Sequence, residues 1–111
     1  MKTLKFRAHL KAPILKGEKT TTWRLFDDKN LSVDDELLFM VSETGEHFAV
    51  AKIVSVRETT MDKLTKDDWA GHEVYTSEED IYQQYEAYYK RPVDEKSPIK
   101  IIKFKLLKKL S

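Results

Sequence analysis

Apolar and polar residues alternate over several stretches long enough to be strands, and one later segment repeats its apolar positions at helical spacing. A first strand is expected over Leu4–Leu10, with Pro13 ending regular structure soon after. Ala12–Lys16 reads as a helical turn stopped by Gly17, and a second strand follows over about Thr20–Phe26. Asp27-Asp28-Lys29-Asn30 is a loop. A third strand over Glu36–Val41 leads into Ser42-Glu43-Thr44-Gly45-Glu46, a turn rich in breakers. His47–Glu58 places Phe48, Val50, Lys52, Val54 and Val56 on one parity and Ala49, Ala51, Ile53 and Ser55 on the other. That pattern predicts a strand buried on both faces for part of its length.

Thr59 or Thr60 caps a short turn containing Met61 and Leu64. Thr76-Ser77-Glu78-Glu79 has the form of a capping box and opens a helix to about Lys90, ended by Pro92. Ile81, Tyr85 and Tyr88, spaced four and three apart, give that helix one packed face. The last strand runs from Pro98 to about Leu107, with Lys103 and Lys105 opposite Ile102, Phe104 and Leu106. No repeat, low-complexity stretch or linker divides residues 1–111. The expected fold is one α+β domain, a small mixed and mostly antiparallel barrel with short helices at its rim.

Composition narrows the chemistry. The chain has 111 residues, 41% hydrophobic and 35% charged, enough for a single modest core under a heavily charged surface. A net charge of +1 exerts no global pull on nucleic acid, so any such binding must come from local clustering. No apolar run approaches the ~20 residues that span a bilayer, so no membrane partner is expected. The start Met1-Lys2-Thr3-Leu4-Lys5-Phe6 has no secretory apolar region, and the expected location is the cytoplasm. The absence of cysteine removes thiolate nucleophiles and cysteine metal sites. His9, His47 and His72 show no ligand spacing, and neither a P-loop nor Gly-x-Gly-x-x-Gly occurs, so neither metal nor cofactor is expected.

The most informative stretch is Gly17-Glu18-Lys19-Thr20-Thr21-Thr22-Trp23-Arg24. Alternation puts Thr20, Thr22 and Arg24 on one face and Thr21, Trp23 and Leu25 on the other. Lys19 can join the polar face only from a turn, which Gly17 permits. Gly-x-Lys-Thr-x-Thr-x-Arg after a short apolar segment resembles the signature of the ASCH domains, which have a PUA-like β-barrel fold. Leu31–Leu37, Phe48–Val56, Met61–Thr65 and Ile101–Leu107 are similar to further family segments, so the resemblance spans roughly Phe6 to Leu107. Asp34-Asp35 stands where the family often has Gly-Asp.

Several ASCH-type proteins of about this length are metal-free amidohydrolases that remove the acetyl group from N4-acetylcytidine with a threonine, a lysine and a glutamate. The resemblance maps the threonine to Thr22 and the lysine to Lys19. It puts the glutamate at Glu73 with a one-residue offset in the helical entry. The chemistry is coherent: a hydroxyl needs a base, a lysine can be that base when neutral, and a carboxylate can carry a proton to the leaving amine. Arg24 is the neighbouring cation on the strand face of Thr22. Phe6, Trp23, Trp69 and Tyr75 are candidates for contacting a pyrimidine ring, with core packing the stronger expectation for Trp23. Trp69 and Tyr75 flank His72 and Glu73 in what reads as an exposed loop. The expected partner is a small acylated nucleoside. RNA is the alternative, since PUA-like domains often bind it and Lys5, Arg7, Lys11, Lys16 and Lys19 could form a basic stripe with Lys100, Lys103, Lys105, Lys108 and Lys109 if the terminal strands pair. The contrary reading of the C-terminal lysines is that they keep an edge strand soluble.

Overall fold

The computed structural model describes residues 1–26, 29–72 and 77–110, the side chain of Glu78 excepted. Five strands form one curled, mixed sheet that closes only to a half-barrel. The strands are β1 (Lys2–Phe6), β2 (Thr21–Leu25), β3 (Glu36–Val41), β4 (His47–Thr60) and β5 (Pro98–Lys109), in the spatial order β1-β3-β4-β5-β2. β1 lies parallel to β3; the other neighbours are antiparallel. Short helices occupy the rim: α1 (Lys11–Leu15), α2 (Lys66–Trp69) and α3 (Glu78–Tyr89). The fold class expected from periodicity therefore holds.

The first strand is shorter than the alternation through Leu10 implies. β1 ends at Phe6, and Ala8–Leu10 forms a 3-10 turn. The cause is distant in sequence: the Glu43 carboxylate accepts the Ala8 N–H at 3.0 and 3.1 Å, taking the chain out of the sheet. Gly17 does follow a helix, with φ +79°. Asp34 adopts the left-handed conformation at φ +73°.

Three register shifts decide which residues face inward. Val54 falls between the pairs Ile53↔Phe104 and Ser55↔Lys103 and is exposed, so the inward parity passes from Ile53 to Val56. Leu107 is passed over in the same way on β5. Near the start of β4 the register against β3 skips Phe48, so Phe48 and Ala49 are buried in succession in the same core rather than on the two faces the sequence predicts.

β5 carries a core on each face. Ile102 and Phe104 join Leu4, Phe6, Phe39 and Phe48 inside the half-barrel. Ile99 and Ile101 join Trp23, Leu25, Met61, Ile81 and Tyr85 beneath α3. That helix is capped by Ser77, whose hydroxyl accepts the Asp80 N–H at 3.1 Å, one residue beyond the expected capping position. It ends at Tyr89, with Lys90 left-handed at φ 57°, before Pro92 is reached. Of its expected packed face, Ile81 and Tyr85 are buried, whereas Tyr88 turns to the half-barrel's open side.

Candidate functional site

The site lies at the seam the half-barrel leaves open. β1 and β2 are the two edges of the sheet, and side chains bridge them. Arg24 Nη2 donates to the Lys5 carbonyl at 2.9 Å, and the Tyr88 hydroxyl donates to the same oxygen at 3.2 Å. On the β2 edge, the Leu25 N–H donates to the Tyr89 hydroxyl at 3.2 Å. A cavity of about 370 Å³ occupies the seam, walled by Phe6, Arg7 and His9, by Thr22, Trp23 and Arg24, and by Tyr85, Tyr88 and Tyr89 of α3, with Glu43 at its mouth. Its volume suits a small ring-containing ligand.

The signature segment is held in place by the turn after α2. The Gly71 carbonyl accepts the N–H groups of Thr20 and Thr21 at 2.9 and 3.1 Å. The Thr21 hydroxyl, on the face away from Thr22, donates to the Ala70 carbonyl at 2.6 Å. α2 is itself anchored by a capping box between Thr65 and Asp68 and by Arg57, which grips the Asp68 carboxylate at 3.0 and 2.7 Å. Trp23 donates its indole N–H to the Asp68 carbonyl at 3.0 Å, so the whole turn leans on β2.

Within this frame Lys19 and Thr22 are both buried, at 3% and 4% exposure. Lys19 Nζ donates to the Thr21 carbonyl at 2.8 Å, on the peptide group that joins Thr21 to Thr22. Thr22 is on the cavity wall, whereas Lys19 does not line the cavity. Arg24 and Phe6 are brought together, the guanidinium carbon 4.7 Å from the ring centre. Trp23 is buried, as its strand parity implies, and His72 stacks on it at 3.9 Å. Trp69 is not in an exposed loop: it ends α2, half-buried, edge-on to Trp23 at 4.6 Å and away from the cavity. Glu73 and Tyr75 lie outside the described residues. His72, immediately before Glu73 in sequence, is buried beside β2.

Charge at the cavity is set by a few contacts. The Ala8 N–H and the Ser42 hydroxyl hold the Glu43 carboxyl below the usual carboxylate range. Arg7 lies over the Tyr88 ring, 5.4 Å from its centre. Burial pushes the Tyr89 phenol up, partly offset by the charge of Arg24 and the bond from Leu25. Sequence reasoning missed Glu43, Tyr88 and Tyr89 as cavity residues. Their only sequence signal was a turn acid and a tyrosine-rich helix, and neither reveals which strands form the edges.

The basic stripe needed the terminal strands to pair. They do not, because β3 and β4 separate β1 from β5. Several of those lysines have acidic partners instead, with Lys11 on Glu46 at 2.8 Å and Lys103 on Asp67 at 3.0 Å. Among the described residues no cluster of three or more histidine or acidic side chains could hold a metal, and no helix is long and apolar enough to cross a membrane.

No family model and no curated protein sequence matches the chain. Solved structures do. The chain is similar to an Enterococcus faecalis protein of the DUF984 family, with TM-score 0.77 and 11% identity over 98% of this chain and 77% of that one. It is also similar to an ASCH domain from Lactobacillus crispatus, with TM-score 0.69 and 17% identity over 95% and 78% of the two chains. An ASCH protein from Zymomonas mobilis matches with TM-score 0.64 and 14% identity over 96% and 68%. At such identities the likeness speaks for architecture alone: the chain has the ASCH-domain fold, a mixed curled sheet forming a half-barrel with a few short helices.

Proposed function

We propose that this protein is a metal-free amidohydrolase that removes the acyl group from an acylated pyrimidine nucleoside such as N4-acetylcytidine. The observation that carries the reading is a buried threonine on a cavity wall, with a buried lysine amine bonded to the carbonyl of the residue before it. A neutral Lys19 amine can donate one N–H to the Thr21 carbonyl and keep its lone pair for the Thr22 proton. The Thr22 oxygen, or a water held by it, then attacks the acyl carbon. The carbon–nitrogen bond breaks, the leaving exocyclic amine takes a proton, and water completes release of the carboxylic acid. Glu73 is the candidate proton carrier to that amine, and the chain just before it is docked on the start of β2 through Gly71. Phe6, Tyr88 and Tyr89 supply flat surface for the ring, where stacking contributes roughly 1–3 kcal/mol per base.

The test is hydrolysis of N4-acetylcytidine followed by absorbance, with wild type beside Lys19→Ala, Thr22→Ala and Glu73→Ala. Turnover by wild type that is lost in the Lys19 and Thr22 variants, with thermal unfolding unchanged, supports the reading. Retention by Glu73→Ala alone moves the proton carrier to another carboxylate. No turnover by wild type on this nucleoside or related acylated pyrimidines overturns it and favours a non-reacting RNA-binding module. Binding to single-stranded RNA that weakens steeply with salt would then be the confirming measurement.

A further inference from the structure

The mouth of the cavity carries two opposite charges that do not close on each other. Arg7 and Glu43 both line the cavity and both are exposed. Each is held in place by the protein. Both Glu43 carboxylate oxygens take the Ala8 N–H, at 3.0 and 3.1 Å, and one of them also takes the Ser42 hydroxyl at 2.8 Å. Arg7 lies over the Tyr88 ring, 5.4 Å from its centre, and Tyr88 is itself tied to β1 through its bond to the Lys5 carbonyl. The charge of Arg7 helps to lower the Glu43 carboxyl, so the two groups are within electrostatic reach. Among the described residues they are nevertheless not in ion-pair contact, and no described residue accepts from the Arg7 guanidinium. An ionised carboxylate offers about four acceptor sites. Ala8, Ser42 and the N–H of Glu43 itself supply three donors, which leaves acceptor capacity at the mouth.

We infer that Glu43 and Arg7 together hold a hydroxyl of the ligand's sugar, and so make the cavity select a ribonucleoside over its dideoxy counterpart. The inference rests on reading the cavity as a pyrimidine nucleoside site, and it adds what holds the sugar. A hydroxyl is the group that fits between these two side chains, because it donates to a carboxylate and accepts from a guanidinium at the same time. Bonds of this kind, with a charged partner on each side, are among the stronger ones. The ring's own chemistry puts the sugar there. In a nucleoside of the cytosine type the exocyclic amine on C4 and the sugar on N1 stand at opposite ends of the six-membered ring. Thr22 belongs to β2, one edge of the open sheet. Arg7 directly follows β1, the other edge, and Glu43 is tied to that edge at Ala8. An acylated amine at Thr22 therefore sends the sugar across the seam toward Arg7 and Glu43.

The test uses the whole chain and two probes that differ only in the sugar hydroxyls, cytidine and 2′,3′-dideoxycytidine, titrated by NMR shift perturbation. Wild type should bind cytidine roughly tenfold more tightly, the usual effect of a hydrogen bond to a charged group. Glu43→Gln leaves an amide oxygen for the Ala8 N–H but removes the charge. It should reduce the preference by about fivefold while retaining affinity for dideoxycytidine. Arg7→Met, which keeps an apolar stem over Tyr88, should reduce it as well. Each variant is read as a ratio of two affinities on one protein, so a general loss of folding, which weakens both probes alike, does not imitate the effect. Equal affinity of wild type for the two probes, or binding of neither, overturns the inference without any variant. A preference that both variants retain in full overturns it too. Hydrolysis of N4-acetylcytidine is scored separately. Turnover without sugar discrimination leaves the proposed reaction standing and removes this site; discrimination without turnover does the reverse.

Discussion

Gly71→Ala is the perturbation that best probes how the site is held together. Gly71 has φ +76°, and an added Cβ would be driven into the Thr20 side chain, with Thr20 Cβ and Thr20 N each at 3.3 Å. Gly17 supplies an internal control: its φ is +79°, and a Cβ there meets nothing within 4 Å. Both variants therefore bear the left-handed cost of about 1–2 kcal/mol. Only Gly71→Ala adds crowding. Thr20 is exposed and can rotate its hydroxyl away, but its Cβ and N are fixed to the main chain and cannot. Relief has to come from the backbone, at the expense of the bonds from Thr20 N and Thr21 N to the Gly71 carbonyl. Crowding of this kind costs about 1–3 kcal/mol. We expect Gly71→Ala to be about 2 kcal/mol less stable than Gly17→Ala, corresponding to a melting point lower by about 8 °C or more for a domain of this size. Urea unfolding followed by circular dichroism measures the difference directly, and equal slopes for the two variants confirm that both report the same transition. Two variants within about 0.5 kcal/mol of each other would refute the docking of the turn on β2.

Further outcomes follow from the same framework. Asp68→Asn should cost about 1.5–3 kcal/mol at pH 7, because a buried carboxylate that takes two bonds from Arg57 and one from the Thr65 N–H loses its charge. The Arg57 hydrogen bond holds the folded Asp68 carboxyl below its unfolded value, so its contribution is complete above about pH 4 and fades as the pH drops through the folded value. Unfolding curves of wild type and variant should accordingly converge on acidification, and a gap that stays constant from pH 7 to pH 3 would contradict this. Trp23→Phe should cost about 2 kcal/mol through the lost indole bond to the Asp68 carbonyl and the void under His72, as thermal unfolding can show. Thr22→Val, which preserves shape without the hydroxyl, should bind cytosine as wild type does yet fail to hydrolyse N4-acetylcytidine; retained turnover would take Thr22 out of the reaction.

How much of this was legible beforehand depended on how local the determinant was. Glu36–Val41 was readable as a strand because alternation and flanking turn residues agree over the whole segment. The helix over Glu78–Tyr89 was readable from its cap-forming residues and apolar spacing, although its N-cap is Ser77, one residue beyond the one expected. β1 was over-extended because Ala8 and Leu10 continue the alternation of Leu4 and Phe6, while the bond that ends the strand comes from Glu43 in a distant turn. α2 was read as loop because it is a single turn of four residues whose capping box closes with Asp68 rather than a glutamate. That misreading left Trp69 exposed in the reading and half-buried in the fold. The resemblance singled out Lys19 and Thr22, but not their arrangement: which strand face a threonine occupies is a local fact, whereas the burial of Lys19 against the Thr21 carbonyl is a tertiary one.

The cavity itself belongs to topology. A sheet that stops short of closing has two edges whose main-chain groups must be met, and here the groups that meet them also surround the cavity. The Lys5 carbonyl is taken by Arg24 and Tyr88, and the Leu25 N–H by Tyr89. Sealing the seam and building the cavity are therefore one task given to one set of side chains. α3 can supply two tyrosines to it because Ile81 and Tyr85 already fix the helix on the outer core of β2 and β5. The same economy explains why Trp23 and Arg24, adjacent in sequence, have separate roles: strand parity sends the indole to the core under α3 and the guanidinium across Phe6 into the seam. A single strand thereby holds the turn after α2 on one face and presents Thr22 and Arg24 to the cavity on the other.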